Sequence, residues 1–335
     1  MYFAIGWKML SHAEKELSLI GYDIKRYKNI FFFKTNKKDK LQNLAWFTKI
    51  GHLVWEDSLD FSDYKIVGTN IKLTKQDKLK YNIKRYKEIE FLKTDLEIKT
   101  KWIEVLFFRQ GEVWIVDYYQ NIPLYEYIDF NKPVRSMNIG MMPSKLAHLL
   151  LNLSTAFEDN KTVYDPFAGL WTTIMIANYF QYNTIWSDLN ITPCKQNWKA
   201  WIKTPYYDEN TKFILFKQDI TKDFKNKVVN FATNVVSEWF LWPVVGKYLN
   251  KKEAENLEKS FQDIYIKWIE NLIKLPKLEN IVITFPAYFL RDKTFHTFEN
   301  TFDILKKNWL KLEILDDIYH RKWQKVWRQI VIITK

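Results

Sequence analysis

Short runs of β-branched and aromatic residues, separated by polar stretches with helical spacing, set the pattern of this chain. Tyr2–Ile5 and Phe31–Lys34 predict strands, and Ile50–Val54 and Asp63–Val67 predict further short elements. Between the first two, Ser11 with Glu14 three positions on has the spacing of a capping box, predicting a helix to about Ile20. Glu104–Phe108 and Glu112–Val116, joined by Arg109-Gln-Gly, predict a hairpin. Pro133 and the Met141-Met-Pro-Ser-Lys turn then lead into an apolar helix, Leu146 to Leu153.

From residue 160 onward strands and helices alternate, which predicts a mostly parallel sheet. Thr162–Tyr164 is broken by Asp165-Pro166, because proline cannot continue a ladder. Thr172 and Thr173 open a helix carrying Ile174, Ile176 and Ala177, and Ile185 starts a strand ending at Asp188. Lys212–Phe216, Phe231–Glu238, Asn280–Pro286, Leu312–Leu315 and Gln329–Thr334 follow as strands, with an amphipathic helix over about 251–275. Asp165, Asp188, Asp219 and Glu238 therefore fall at or just beyond strand carboxyl ends, where open α/β sheets bind ligands. Turn, helix N-terminus and a following carboxylate form a layout suited to a nucleotide-type ligand. The Asp-Pro-Phe turn lacks the Gly-x-Gly-x-x-Gly pattern of dehydrogenases.

Composition sharpens this picture. The 335 residues allow two domains, divided here as 1–130 and 131–335, and no apolar run is long enough to span a membrane. The N-terminus has no secretory signal pattern, and the lone Cys194 excludes an internal disulfide framework; both suit a cytoplasmic protein. A net charge of +12 favours a polyanionic partner. Lys72–Lys87, with seven basic residues and Tyr81 and Tyr86 interleaved, reads either as a solvated helix face or as an RNA-facing surface. His148 reads as an ordinary helix residue, without the partner spacing of a metal site.

Tryptophan is over-used and glycine under-used. Average usage gives about 23 Gly in this length, whereas the chain has 8 Gly and 15 Trp. Trp171, Trp186, Trp239, Trp242, Trp309 and Trp327 stand where turns or motifs want glycine. Asn308-Trp309, for example, occupies an Asn-Gly turn setting. A codon reassignment in which UGA specifies glycine would account for the pattern; a genuinely Trp-rich protein is the alternative.

These residues resemble class I S-adenosylmethionine-dependent methyltransferases acting on exocyclic amines of nucleic acids, and more narrowly the THUMP-associated tRNA guanine-N2 methyltransferases. Tyr2–Ile5 with the Ser11–Glu14 helix is similar to their ferredoxin-like start, and Leu44–Gly51 to a Leu-Gly-Gly-x-x-Lys-Ile-Gly pattern. Arg135–Asn152, centred on Gly140–Ala147, matches the segment before the catalytic fold. Asp165–Thr172 resembles an Asp-Pro-Phe-Cys-Gly-Ser-Gly-Thr loop, and Tyr319–Ile330 the closing strand.

The resemblance implies a Rossmann-like methyltransferase domain with a mostly parallel seven-stranded sheet, preceded by a smaller α+β ferredoxin-like/THUMP-like RNA-binding region. It implies S-adenosylmethionine as cofactor and tRNA as partner, and no metal. Asp165, Phe167, Gly169, Trp171 and Thr172 would line the methionine pocket, flanked by Pro143 and Lys145. Asp188 with Leu189 would meet the ribose hydroxyls, and Asp219 with Ile220 the adenine amine. Ser237, Glu238, Trp239, Phe240 and Leu241 stand in the catalytic loop, normally Asp/Asn-Pro-Pro-Tyr; a Glu-containing variant ending Leu-Gly-Pro would match if Trp242 were glycine. An adenine-N6 methyltransferase and a non-catalytic RNA-binding protein are the alternatives. The modified nucleotide, the oligomeric state and any small activator protein stay open.

Overall fold

A computed structural model describes residues 1–54, 66–69, 84–85, 103–107, 113–135, 142–238, 247–308, 310–320 and 324–335. The chain divides into two compact units, Met1–Asn121 and Ile122–Lys335.

The first unit is one sheet in the order β2-β3-β1-β4-β8-β7-β5-β6. Its strands are β1 Tyr2–Gly6, β2 Tyr22–Tyr27, β3 Ile30–Lys34, β4 Phe47–Val54, β5 Ile66–Thr69, β6 Lys84–Arg85, β7 Ile103–Phe107 and β8 Val113–Tyr119. β7 and β8 form the predicted antiparallel hairpin, while β5 pairs parallel with both β6 and β7. Within the basic Lys72–Lys87 stretch the described pair Lys84–Arg85 is extended, not helical; the rest lies outside the described residues.

Helix α1 covers Leu10–Ser18, but its N-cap is Met9, without a side-chain cap. The Ser11–Glu14 capping box is therefore not formed, because Ser11 already lies inside the helix. What fixes α1 is Glu16, fully buried. Its carboxylate accepts from the backbone N–H groups of Ala45 and Trp46 at 2.7 and 2.8 Å. The Leu44–Gly51 segment is thus docked onto α1 by one acid whose burial those amides compensate. Gly51 closes the segment because a Cβ there would collide with the Ile115 carbonyl on β8, beside the Ile50/Gly51 irregularity.

The second unit begins with α2 (Ile122–Glu126) and a π-helical turn, Tyr127–Asn131. Its strands are β9 Thr162–Asp165, β10 Asn183–Asp188, β11 Phe213–Lys217, β12 Asn234–Glu238, β13 Asn280–Phe289, β14 Phe295–His296, β15 Lys311–Tyr319 and β16 Val326–Thr334. The order is β11-β10-β9-β12-β13-β16-β15, with β14 an appendage of β13. The pairings from β11 to β13 are parallel; β16 runs antiparallel between β13 and β15. This is the Rossmann-like, mostly parallel seven-stranded arrangement expected from the sequence, with its topological switch point between β9 and β12. β13 runs past Pro286, where the sequence predicted an end. Among the described residues, the β12 side of β13 is unpaired from Phe285 to Ala287, between Thr284, the last partner of β12, and Tyr288, where β14 takes over, and the proline falls in that gap.

Helices α3 (Ser144–Thr155), α4 (Thr172–Tyr179), α5 (Thr192–Trp201), α6 (Lys251–Ile273) and α7 (Glu299–Lys307) complete the unit. The core joins Tyr265, Trp268 and Ile269 of α6 to Phe285, Phe298 and Phe302. At the amino edge of the sheet, the Asn234 and Asn280 amides both donate to the Ser154 carbonyl, at 2.7 and 2.9 Å, and the Ser154 hydroxyl returns a bond to Asn280. That polar knot fastens the end of α3 to β12 and β13. No described helix is long and apolar enough to cross a membrane.

Glu16→Ala should leave two buried amides without an acceptor and cost about 3 kcal/mol, by the usual penalty for such groups. Urea denaturation of the full chain measures it. A change below about 0.5 kcal/mol, the range of neutral surface substitutions, would refute the tether.

Candidate functional site

The carboxyl ends of β9, β10 and β12 converge at the switch point. β9 and β12 pair at only Asn234↔Val163 and Val235↔Tyr164. Beyond that their link is a side-chain bond: the Ser237 hydroxyl donates to Asp165 Oδ1 at 2.6 Å. Asp165 is 2% exposed and also accepts from the Phe167 N–H at 2.9 Å. Burial pushes its carboxyl up to about 7, against the pull of the Ser237, Phe167 and Thr173 hydrogen bonds; nearby Asp188 raises it further.

The turn after β9 is held at several points. The Gly169 N–H donates to Asp188 Oδ2 at 2.8 Å, and the Ala168 N–H to the Ser187 carbonyl at 3.0 Å. The Cys194 thiol donates to the Gly169 carbonyl at 3.1 Å, and burial pushes it up to about 12, which rules against a nucleophilic role. Asn197 on α5 clamps the other side, donating to the carbonyls of Leu170 and Val134 and accepting from the Val134 N–H.

Trp171 is the N-cap of α4, in the left-handed region at φ 76°, beside Gly169 at φ 47°. A left-handed cap is a glycine conformation. The Trp171 indole packs into the interior of the unit. It is fully buried, edge-on to Trp198 of α5 at 4.9 Å and to Phe213 at 6.1 Å. Phe213 opens β11, at the opposite end from the carboxyl edge, so the ring runs beneath the turn. The buried indole N–H groups of Trp171 and Trp186 both lack an acceptor among the described residues, an unusual state for an interior tryptophan.

The other expected positions are placed as follows. Pro143 precedes α3 and is buried. Lys145 lies over the Tyr125 ring at 5.7 Å, and burial pushes its ammonium down to about 8. Phe167 packs on Trp268 at 5.3 Å, and Leu189 is exposed. Asp188 also accepts from the Asn190 N–H at 2.9 Å. Asp219 bonds the Thr221 hydroxyl and N–H, which hold its carboxyl below the usual range. Ile220 is a core residue whose carbonyl accepts from Asn271 at 3.0 Å. Trp239, Phe240, Leu241, Trp242, Pro243 and Trp309 lie outside the described residues. His148 is structural: buried on α3, it bonds the Tyr125 hydroxyl at 2.7 Å and stacks on Phe180. No cluster of metal-ligating side chains occurs among the described residues.

Two functional candidates were not singled out from sequence. Arg328 of β16, 2% exposed, forms an ion pair from its Nε to Glu238 Oε1 at the end of β12. A lone cation in the apolar run Val326–Thr334 was the available signal. Lys132, 3% exposed, donates to the Thr172 hydroxyl at 2.8 Å in the first turn of α4. No local pattern marks it.

The chain is similar to the crystal structure of TrmN from Thermus thermophilus, at 12% identity over 100% of this chain and 99% of that one, TM-score 0.44. The delta-N METTL16 MTase domain is matched at 9% identity over 63% of this chain and 94% of that one, TM-score 0.43. Magnesium protoporphyrin IX methyltransferase (ChlM) from Synechocystis PCC 6803 with bound SAM is matched at 11% identity over 64% and 90%, TM-score 0.38. No family model and no curated protein matches the chain.

Because the folded Asp165 carboxyl is raised from about 4 to about 7, it holds a proton that the unfolded chain has released. Stability should fall as pH rises through that window and be level above it, by at most about 4 kcal/mol. Asp165→Asn should flatten this slope relative to wild type in melts between pH 4 and 8; parallel curves would refute the shift. Trp171→Gly should raise the melting temperature if UGA encodes that position. A loss of about 4 kcal/mol, the cost of emptying a large core site, would establish the indole as native.

Proposed function

We propose that this chain is an S-adenosylmethionine-dependent RNA methyltransferase whose target is an exocyclic base amine, guanine N2 in tRNA. The observation that carries this reading is the convergence at the switch point. There Asp165, Asp188 and the left-handed turn lie at the same strand ends as a carboxylate, Glu238, which is ion-paired to a buried arginine. The fit of the residues to the cofactor rests on chemistry present in the chain. Asp188 at the end of β10 suits ribose hydroxyls, Asp219 suits the adenine amine, and the first turn of α4 with Lys132 suits an acidic group. When bound, the cofactor supplies an electrophilic methyl on a sulfonium.

Glu238 would serve as an acceptor for the target amine. Arg328 takes Oε1, which leaves Oε2 to receive an amine N–H and orient the nitrogen lone pair along the line of transfer. The chain's own part would be to hold the amine: Glu238 would keep the nitrogen aimed at the methyl that the cofactor supplies, and solvent would take up the proton the amine releases. Positioning is most of such a reaction. The net charge of +12 supports a polyanionic substrate, and the basic first unit is the candidate THUMP-like RNA-binding region.

Calorimetric titration with S-adenosylmethionine, followed by methyl transfer to unmodified tRNA and mapping of the product, tests the reading. Glu238→Ala should lower turnover by roughly 100-fold or more, a size typical for loss of a group acting on the reacting atoms, with cofactor affinity unchanged. Cofactor binding with methylation of adenine N6 would redirect the target. tRNA binding without cofactor binding would leave a non-catalytic RNA-binding protein.

A further inference from the structure

Lys132 is a buried cation without a matching anion. It follows the π-helical turn Tyr127–Asn131, and the next residues are fixed by the Asn197 clamp on Val134. The clamp and the lysine thus deliver one backbone segment to the turn at Leu170–Thr172 from 40 residues away in sequence. At 3% exposure, the ammonium meets the Thr172 hydroxyl at 2.8 Å, a neutral partner. Among the described residues no carboxylate lies within ion-pair distance of it. Asp129 and Glu238 act on it only through space, and Arg135 opposes them. Burial accordingly pushes it down to about 8.

The surroundings add positive potential. α4 is eight residues long and starts at Thr172; its N-cap, Trp171, offers no side-chain acceptor to the first-turn N–H groups. An uncompensated buried ammonium and an uncapped helix start, joined through Thr172, form a site for a small anion. Thr172 directly follows the turn tied to Asp188, the candidate ribose ligand, so the anion would belong to the same ligand. In a sulfonium nucleoside the anionic group is the carboxylate of its amino-acid end.

Resting on the proposed function, we infer that Lys132 anchors this carboxylate, with Thr172 orienting the ammonium. A lysine that merely fills space would stabilise the fold and show no preference for ligand charge. Calorimetry on the full chain with S-adenosylmethionine and with its decarboxylated analogue separates the two. Wild type should bind the carboxylate-bearing form roughly 100-fold more tightly, the size expected when one partner of a buried charge pair is removed. Lys132→Met should lose most of that preference, and Lys132→Arg should recover part of it. Equal binding of both nucleosides by wild type, or an undiminished preference in a folded Lys132→Met variant, would overturn the assignment and leave the proposed function standing. Binding of neither nucleoside by wild type would overturn the proposed function, and this assignment with it.

Discussion

The hydrogen bond from Ser237 to Asp165 is the contact on which the site depends. β9 and β12 share two register positions and then part, as strands must where a doubly wound sheet reverses its order. Past those two positions the floor of that edge has no ladder to hold it and needs a tie. Ser237 and Asp165 supply one that is fully buried, with burial pushing the acid's carboxyl up to about 7. Everything else at this edge is positioned from that floor. The turn hangs from Asp188 on one side, and Glu238 extends from the residue next to Ser237 on the other.

The antiparallel β16 makes the second contribution. Parallel strands bring their carboxyl ends to one edge, and an antiparallel strand brings its beginning there instead. Arg328, third residue of β16, therefore arrives beside the end of β12, aligned with Pro286 of the intervening β13. A cation buried this deeply is costly unless paired with good geometry. The Glu238 carboxylate is that partner, so the pair fixes the acid in one orientation as much as it satisfies the base.

Most strands of the sheet were legible because they are short apolar runs bounded by a local breaker, such as Asp165-Pro166 or Gln218-Asp219, whereas β13 runs through Pro286. The four carboxylates at strand ends were legible for the same reason. What escaped were features made by distant contacts. Glu16 reads as one more acid on a helix face until its amide donors arrive from residues 45 and 46. The start of α1 was misjudged because Met9 takes up a left-handed conformation that no residue pattern announces. Lys132 and Arg328 pair across 40 and 90 positions. Trp171 shows the converse: its place in the turn is visible in sequence, but the path of its ring depends on Trp198 and Phe213.

The knot of Asn234, Asn280 and Ser154 lies at the amino edge, opposite all of this chemistry. Rigidity and reactivity are thereby lodged at different ends of the same strands. A lineage carrying this sheet could exchange or lengthen the loops at the carboxyl edge while the fastening at the far end kept the strands in register. Such a division makes the scaffold evolvable, since new specificities can be tried at one edge with little risk to folding at the other.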